Sequence, residues 1–208
     1  MRIAYAVAIF ALVIASSVSH AQEARLRGAL DAETFAKVTR ITDSARAESL
    51  PVDPLVGVAL EGAQRHASGA RIAQAAHDYL VALRGSRTAL GADATAPEIV
   101  SGAGVLLSGV TTDALRQIRA AAPRRPLTVP LVVLADLIAR GVPKDTAARA
   151  IEAAARANAR DDDYSALRRF VEQDILAGAS PAAAAMLRVR SITGVPPMLD
   201  PSDSQKQP

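Results

Sequence analysis

The chain has 208 residues, with 24 Lys and Arg against 21 Asp and Glu, three His and no Cys. Without Cys there is no thiolate metal site, thiol nucleophile or disulfide staple, so packing alone must hold the fold. The charge is nearly balanced with no dense basic tract, aromatic residues are only 3% and Trp is absent, which argues against nucleic acid as a partner and against stacking platforms for sugars.

Residues 1–21 read as an export signal. Arg2 is a short positive start, Ile3 to Val18 is almost wholly apolar, and Ser19-His20-Ala21 places small residues where a signal peptidase reads. Cleavage is expected before Gln22. The mature chain is then expected to be soluble, periplasmic or secreted, with no stable membrane insertion, and no Cys follows that could carry a lipid. The remainder is long enough for one domain with its own core. Residues 22–30 are a polar leader, 31–193 an all-helical domain, and 194–208, rich in Pro, Ser, Asp and Gln, a disordered tail.

Ala is the commonest residue, Leu and Arg are frequent, and β-branched runs are few, so the expected fold class is all-α. Asp31 caps a helix over Ala32 to about Glu48, with Phe35, Val38, Ile41 and Ala45 on its apolar face. Leu50-Pro51 ends it. Asp53-Pro54 reads as an N-cap and first helical residue, opening a helix to about His66. After Ser68-Gly69 a return helix covers Ile72 to Leu83, followed by a loop from Arg84 to Ala96. Thr95 and Glu98 form a capping box for a helix to Ser108, within which Gly102 and Gly104 point to close packing. Thr111 caps the next helix, buried through Leu115, Ile118 and Ala122. Pro123-Arg124-Arg125-Pro126 is a rigid connector and the expected hinge between halves.

Thr128 then caps a helix that is apolar on more than one side (Leu131, Val132, Leu134, Leu137, Ile138) and expected to be central. Its partner runs from Pro143 to about Ala159. Asp161-Asp162-Asp163 starts another, with Leu167, Phe170, Val171 and Ile175 inward. Ser180-Pro181 opens the last, through Leu187 and Val189. Gly69, Gly109, Gly141 and Gly178 are each followed by a small apolar residue, the pattern of a glycine helix cap. The expected architecture is about four αα-hairpins, in a compact bundle or short superhelix, preceded by one further helix.

The ionisable group most like a site is Glu61, His66, His77 and Asp78. A hairpin would bring the two imidazoles together with a carboxylate in reach, for acid–base work or a metal. Their spacing matches no ligand motif, so no catalytic residue, metal or cofactor is assigned. Asp161–Asp163 lack the alternating oxygens and Gly of a calcium loop and suit the positive end of a helix. Arg124 and Arg125 read as a solvated connector. The resulting expectation is a non-catalytic protein-interaction or scaffold module of the cell envelope, its protein partner and oligomeric state unspecified. The alternatives are a carrier of a small apolar ligand between hairpins and a hydrolase-like enzyme using Glu61, His66 and His77.

Overall fold

The computed structural model describes residues 22–194. The expected signal segment, and all of the expected tail but Gly194, lie outside the described residues. Among the described residues every regular element is a helix, so the chain is all-α. The elements are α1 (22–29), α2 (Ala32–Ala47), α3 (Asp53–Gln64), α4 (Gly69–Leu90), α5 (Ala96–Leu107), α6 (Thr112–Ala121), α7 (Thr128–Ala139), α8 (Lys144–Arg156), α9 (Asp161–Leu176) and α10 (Pro181–Thr193). The chain divides into two compact units, Met1–Arg84 and Gly85–Pro208. The division falls inside α4, not at the Pro123–Pro126 connector.

Most helix starts follow the local chemistry. The Asp31 carboxylate accepts from the N–H groups of Glu33 (3.0 Å) and Thr34 (2.9 Å) and from the Thr34 hydroxyl (2.6 Å), and these bonds hold its carboxyl below the usual range, the Thr34 hydroxyl first among them. Thr95 with Glu98, Thr111 and Ser180 also cap their helices. Two expected caps differ. Asp53 and Thr128 are the first residues of α3 and α7 rather than their caps; the Asp53 carboxylate instead accepts from the Gln22 side chain. The expected loop from Arg84 is helical to Leu90. Burying Ala89 and Leu90 outweighs the roughly 1 kcal/mol cost of Gly85 inside a helix.

One joint recurs. After α7 the Gly141 N–H donates to the Ile138 carbonyl (2.9 Å) and the Val142 N–H to the Leu137 carbonyl (3.0 Å), with Gly141 left-handed at φ +87°. The same two bonds close α2 at Ser49-Leu50, α3 at His66-Ala67, α5 at Gly109-Val110, α8 at Asn158-Ala159 and α9 at Gly178-Ala179. Ser49, His66 and Asn158 take φ of +54°, +54° and +58° to do it. Gly69 therefore has a different role from the one its sequence implies. It opens α4, and Thr34 Oγ1 lies where its Cβ would stand.

In the first unit Leu26, Val38, Val56, Ala59 and Ile72 form one apolar cluster, with Phe35 and Leu60 half-buried against it. The leader is thus helical over 22–29 and buries Leu26. Helix α2 turns Thr34 and Thr42 inward beside Val38 and Ala45, so its buried stripe is rotated from the purely apolar one. Across the two helices α3 and α4, a Cβ on Gly62 would come within 2.8 Å of Ile72 Cγ1.

The second unit is a stack of three hairpins. Helix α7 packs on α5 and α9, and α8 packs on α6 and α10. Hairpin α7–α8 is therefore the middle layer, and α7 is central as its composition implies, burying Leu131, Leu134 and Leu137 completely. Two of its apolar residues depart from that role: Val132 is exposed and Ile138 half-buried. Ala147, Ala150, Ala154 and Ala155 make α8 thin enough for close approach on both sides. Asp136–Arg168 (3.0 Å) and Arg140–Glu172 (3.3 Å) pair α7 with α9 at its rim.

Three glycines of this unit should respond with different signs to replacement by alanine. Gly104 lies in α5 with open space about its Cβ position, so Gly104→Ala should raise stability by about 0.5–1 kcal/mol. Gly141→Ala should lower it by about 1 kcal/mol through the left-handed joint. At Gly102 a Cβ would overlap Ser86 Oγ and stand 3.2–3.3 Å from Leu90 and Leu115, so Gly102→Ala should cost about 1–3 kcal/mol. Ser86→Ala in that background should recover part of the loss, since the buried Ser86 hydroxyl has no partner. Urea midpoints for the four proteins check the set; equal shifts would refute it.

Candidate functional site

The structure brings together only part of the sequence-derived group. Glu61 and His66 line one groove of about 570 Å³ at the mouth of the α3–α4 hairpin, with Arg65 and Arg71 beside them. Glu61 pairs with Arg65 (2.7 Å), one turn further on, and both are exposed. His66 is where it is because the α3 joint needs a left-handed residue, a conformation in which His is tolerated better than most. His77 and Asp78 do not line that groove. They lie exposed on α4, with His77 Nδ1 3.8 Å from Asp78 Oδ1. Among the described residues no three His, Asp or Glu are placed to share a metal ion, and no helix is long and apolar enough to cross a membrane.

Asp161–Asp163 make the first turn of α9, where Asp163 accepts from the Arg160 N–H (2.7 Å). The Arg124-Arg125 connector is tied rather than free. Arg125 donates to the Ala159 carbonyl, and its own carbonyl accepts from Arg119 (3.0 Å). The tie continues to Glu98, which is 5% exposed. One Glu98 oxygen accepts from Arg119 (2.6 Å) and the Leu127 N–H (2.8 Å), and the other from the Thr95 N–H (2.9 Å) and hydroxyl (3.0 Å). A capping-box Glu is legible in sequence, but its bonds to Arg119 and Leu127 join segments far apart in the chain. A 400 Å³ cleft lies beside this node, whose role is to fasten α5, α6 and the start of α7.

A second feature had no signal in the periodicity of any one helix. Large exposed apolar side chains concentrate on the last hairpin: Phe170 (38%), Leu176 (82%), Met186 (38%) and Leu187 (57%). Phe170 was expected inside. Superposing the joint of Gly178 on that of Gly141 explains the difference. Phe170 then matches Val133 and Leu187 matches Ala150, which are only 3% and 1% exposed in the middle layer. Positions covered in the middle of the stack are bare at its end. Arg169 and Arg188 each stand 5.2 Å from the Phe170 ring centre, and Arg188 is held by two hydrogen bonds from its guanidinium to Asp174. A cavity of about 430 Å³ opens beside Phe170, between Leu167 and Ile192.

Comparison with known proteins finds no matching family model, curated protein or solved structure.

The Glu98 node makes a pH-dependent prediction. Burial pushes its carboxyl up, but the hydrogen bonds from Thr95, Leu127 and Arg119 together outweigh burial and hold it below the ordinary value of 4.5. A group lowered on folding stabilises fully above its unfolded value and loses that contribution as pH falls through its folded value. Glu98→Gln should therefore cost about 2 kcal/mol at neutral pH and shrink the loss of stability below pH 4.5. Denaturation at pH 7 and pH 3 measures both; an equal deficit at the two pH values would refute the assignment.

Proposed function

We propose that the protein is a non-catalytic protein-interaction module of the cell envelope, and that the outer face of the α9–α10 hairpin is its partner surface. One observation carries this reading: Phe170 and Leu187 are exposed at the two register positions that are buried in the preceding hairpin. Terminal repeats of a stacked array need a polar outer face to stay soluble alone. This terminal hairpin carries four large exposed apolar side chains instead, which we read as a surface that another protein covers. The adjoining cavity accepts an anchoring side chain beside Phe170. The envelope location rests on the export signal read from residues 1–21.

A photo-crosslinking amino acid at Leu187, introduced into cells that make the protein, tests it. Irradiation should give a discrete adduct, and the same residue at exposed Gln117 on α6 should give none. Phe170→Glu with Leu187→Glu should reduce the adduct formed from position 176 about tenfold without lowering the melting temperature. Equal labelling from 187 and 117, or an adduct indifferent to the two Glu substitutions, would overturn the proposal. An adduct of two copies of this chain would identify the partner as itself.

A further inference from the structure

The groove at the mouth of α3–α4 shares no residue with that face and has its own chemistry. Its apolar lining includes Val58 from α3 and Ile72 and Ala75 from α4. Gly62 keeps this lining close, because a Cβ there would come within 2.8 Å of Ile72 Cγ1. The rim is cationic. Arg71 has no hydrogen-bond or ion-pair partner among the described residues, whereas Arg65 holds Glu61 in an exposed pair of little strength. A guanidinium without a partner in a groove with apolar lining is complementary to a carboxylate that carries a hydrocarbon chain. The two guanidinium groups and one carboxylate of the lining leave a single positive charge between them, which matches a monoanion better than a phosphate dianion. The volume of about 570 Å³ lies within the usual range for a small-molecule site.

We infer that this groove binds a single-chain carboxylate amphiphile of the fatty-acid class, its carboxylate on Arg71 and its chain along Val58, Ile72 and Ala75. Arg71 sets the charge of the ligand, and the exposed Ala75 leaves room for the chain.

Sodium dodecanoate, kept below its micelle concentration, is the probe, titrated calorimetrically into the purified protein while ¹H–¹⁵N spectra follow the backbone amides of Gly62 and Arg71. Saturable binding at one site should move those two amides. Dodecanol and acetate should each bind about tenfold more weakly or worse, since each lacks half of the recognition. Arg71→Glu and Ala75→Glu should each weaken dodecanoate about tenfold or more, while Arg116→Glu on α6 should change nothing. Far-ultraviolet circular dichroism establishes that the variants keep their helix content. No saturable binding, binding untouched by both groove variants, or tighter binding of dodecyl phosphate than of dodecanoate would each overturn the inference. None of these readouts depends on the α9–α10 face, so the two proposals stand or fall separately.

Discussion

The constraint on which the rest depends is the left-handed residue that closes α2, α3, α5, α7, α8 and α9. A helix leaves its last carbonyls without partners, and a buried carbonyl without one costs as much as a lost hydrogen bond. Reversing the chain at one left-handed residue aims two N–H groups back at those carbonyls and turns the following apolar residue onto the helix just completed. Leu50, Val110, Val142 and Ala159 are all buried in that way. Each joint gains two hydrogen bonds of about 1 kcal/mol. Those after α2, α5, α7 and α8 add an apolar burial, whereas Ala67 is half-buried and Ala179 exposed. The left-handed turn of a residue with a Cβ costs about 1–2 kcal/mol. The balance tolerates Ser49, His66 and Asn158 where glycine would be easier.

That balance explains what can be read in the sequence. Gly109, Gly141 and Gly178 are visible because glycine is the cheapest solution. Ser49 and Asn158 are not, because the joint is made by backbone groups that every residue carries. Gly69 misleads for the converse reason: glycine there answers to crowding by Thr34, not to a turn. Helix type follows from composition and caps, except for α1 in the expected leader, and so do the buried faces of α6 and α8, where polar and apolar residues segregate. Faces are harder to place where the stripe mixes types. Thr34 and Thr42 are buried in α2 while Ile41 is only half-buried, because the hydroxyl of a helical Thr can bond within its own helix, as Thr42 does to the Thr39 carbonyl.

The candidate chemistry divides along the same line. Glu61 and His66 share a groove because His66 closes the helix whose last turns carry Glu61, and neighbours at one joint are legible in sequence. His77 lies two turns up α4, on exposed surface, and the hairpin does not carry it to them. Glu98 shows the opposite case. Its sequence neighbours define a cap, but two of the four donors that hold its charge, Arg119 and the Leu127 N–H, come from segments far along the chain. A buried carboxylate needs that many donors to remain charged, and only the fold supplies them.

The exposed face of α9–α10 follows from the stack rather than from either helix. Within an array, each hairpin must be apolar on two sides, and the size of each inward residue is limited by the layer that covers it. Ala150 obeys that limit in the middle layer, where α6 and α10 both lie against α8. At the equivalent place in the last layer Leu187 has no such limit among the described residues and is larger, as Phe170 is larger than Val133. Stability of the isolated stack does not require bulk there: a polar residue would serve solubility better. Asp174 and Arg188, which pair across the same hairpin, demonstrate that α9 and α10 accommodate charge close by. Large apolar groups set among such pairs have the composition of an interface core within a polar rim. The growth in side-chain size from the middle layer to the end one is what a further layer, supplied from outside these helices, would bury.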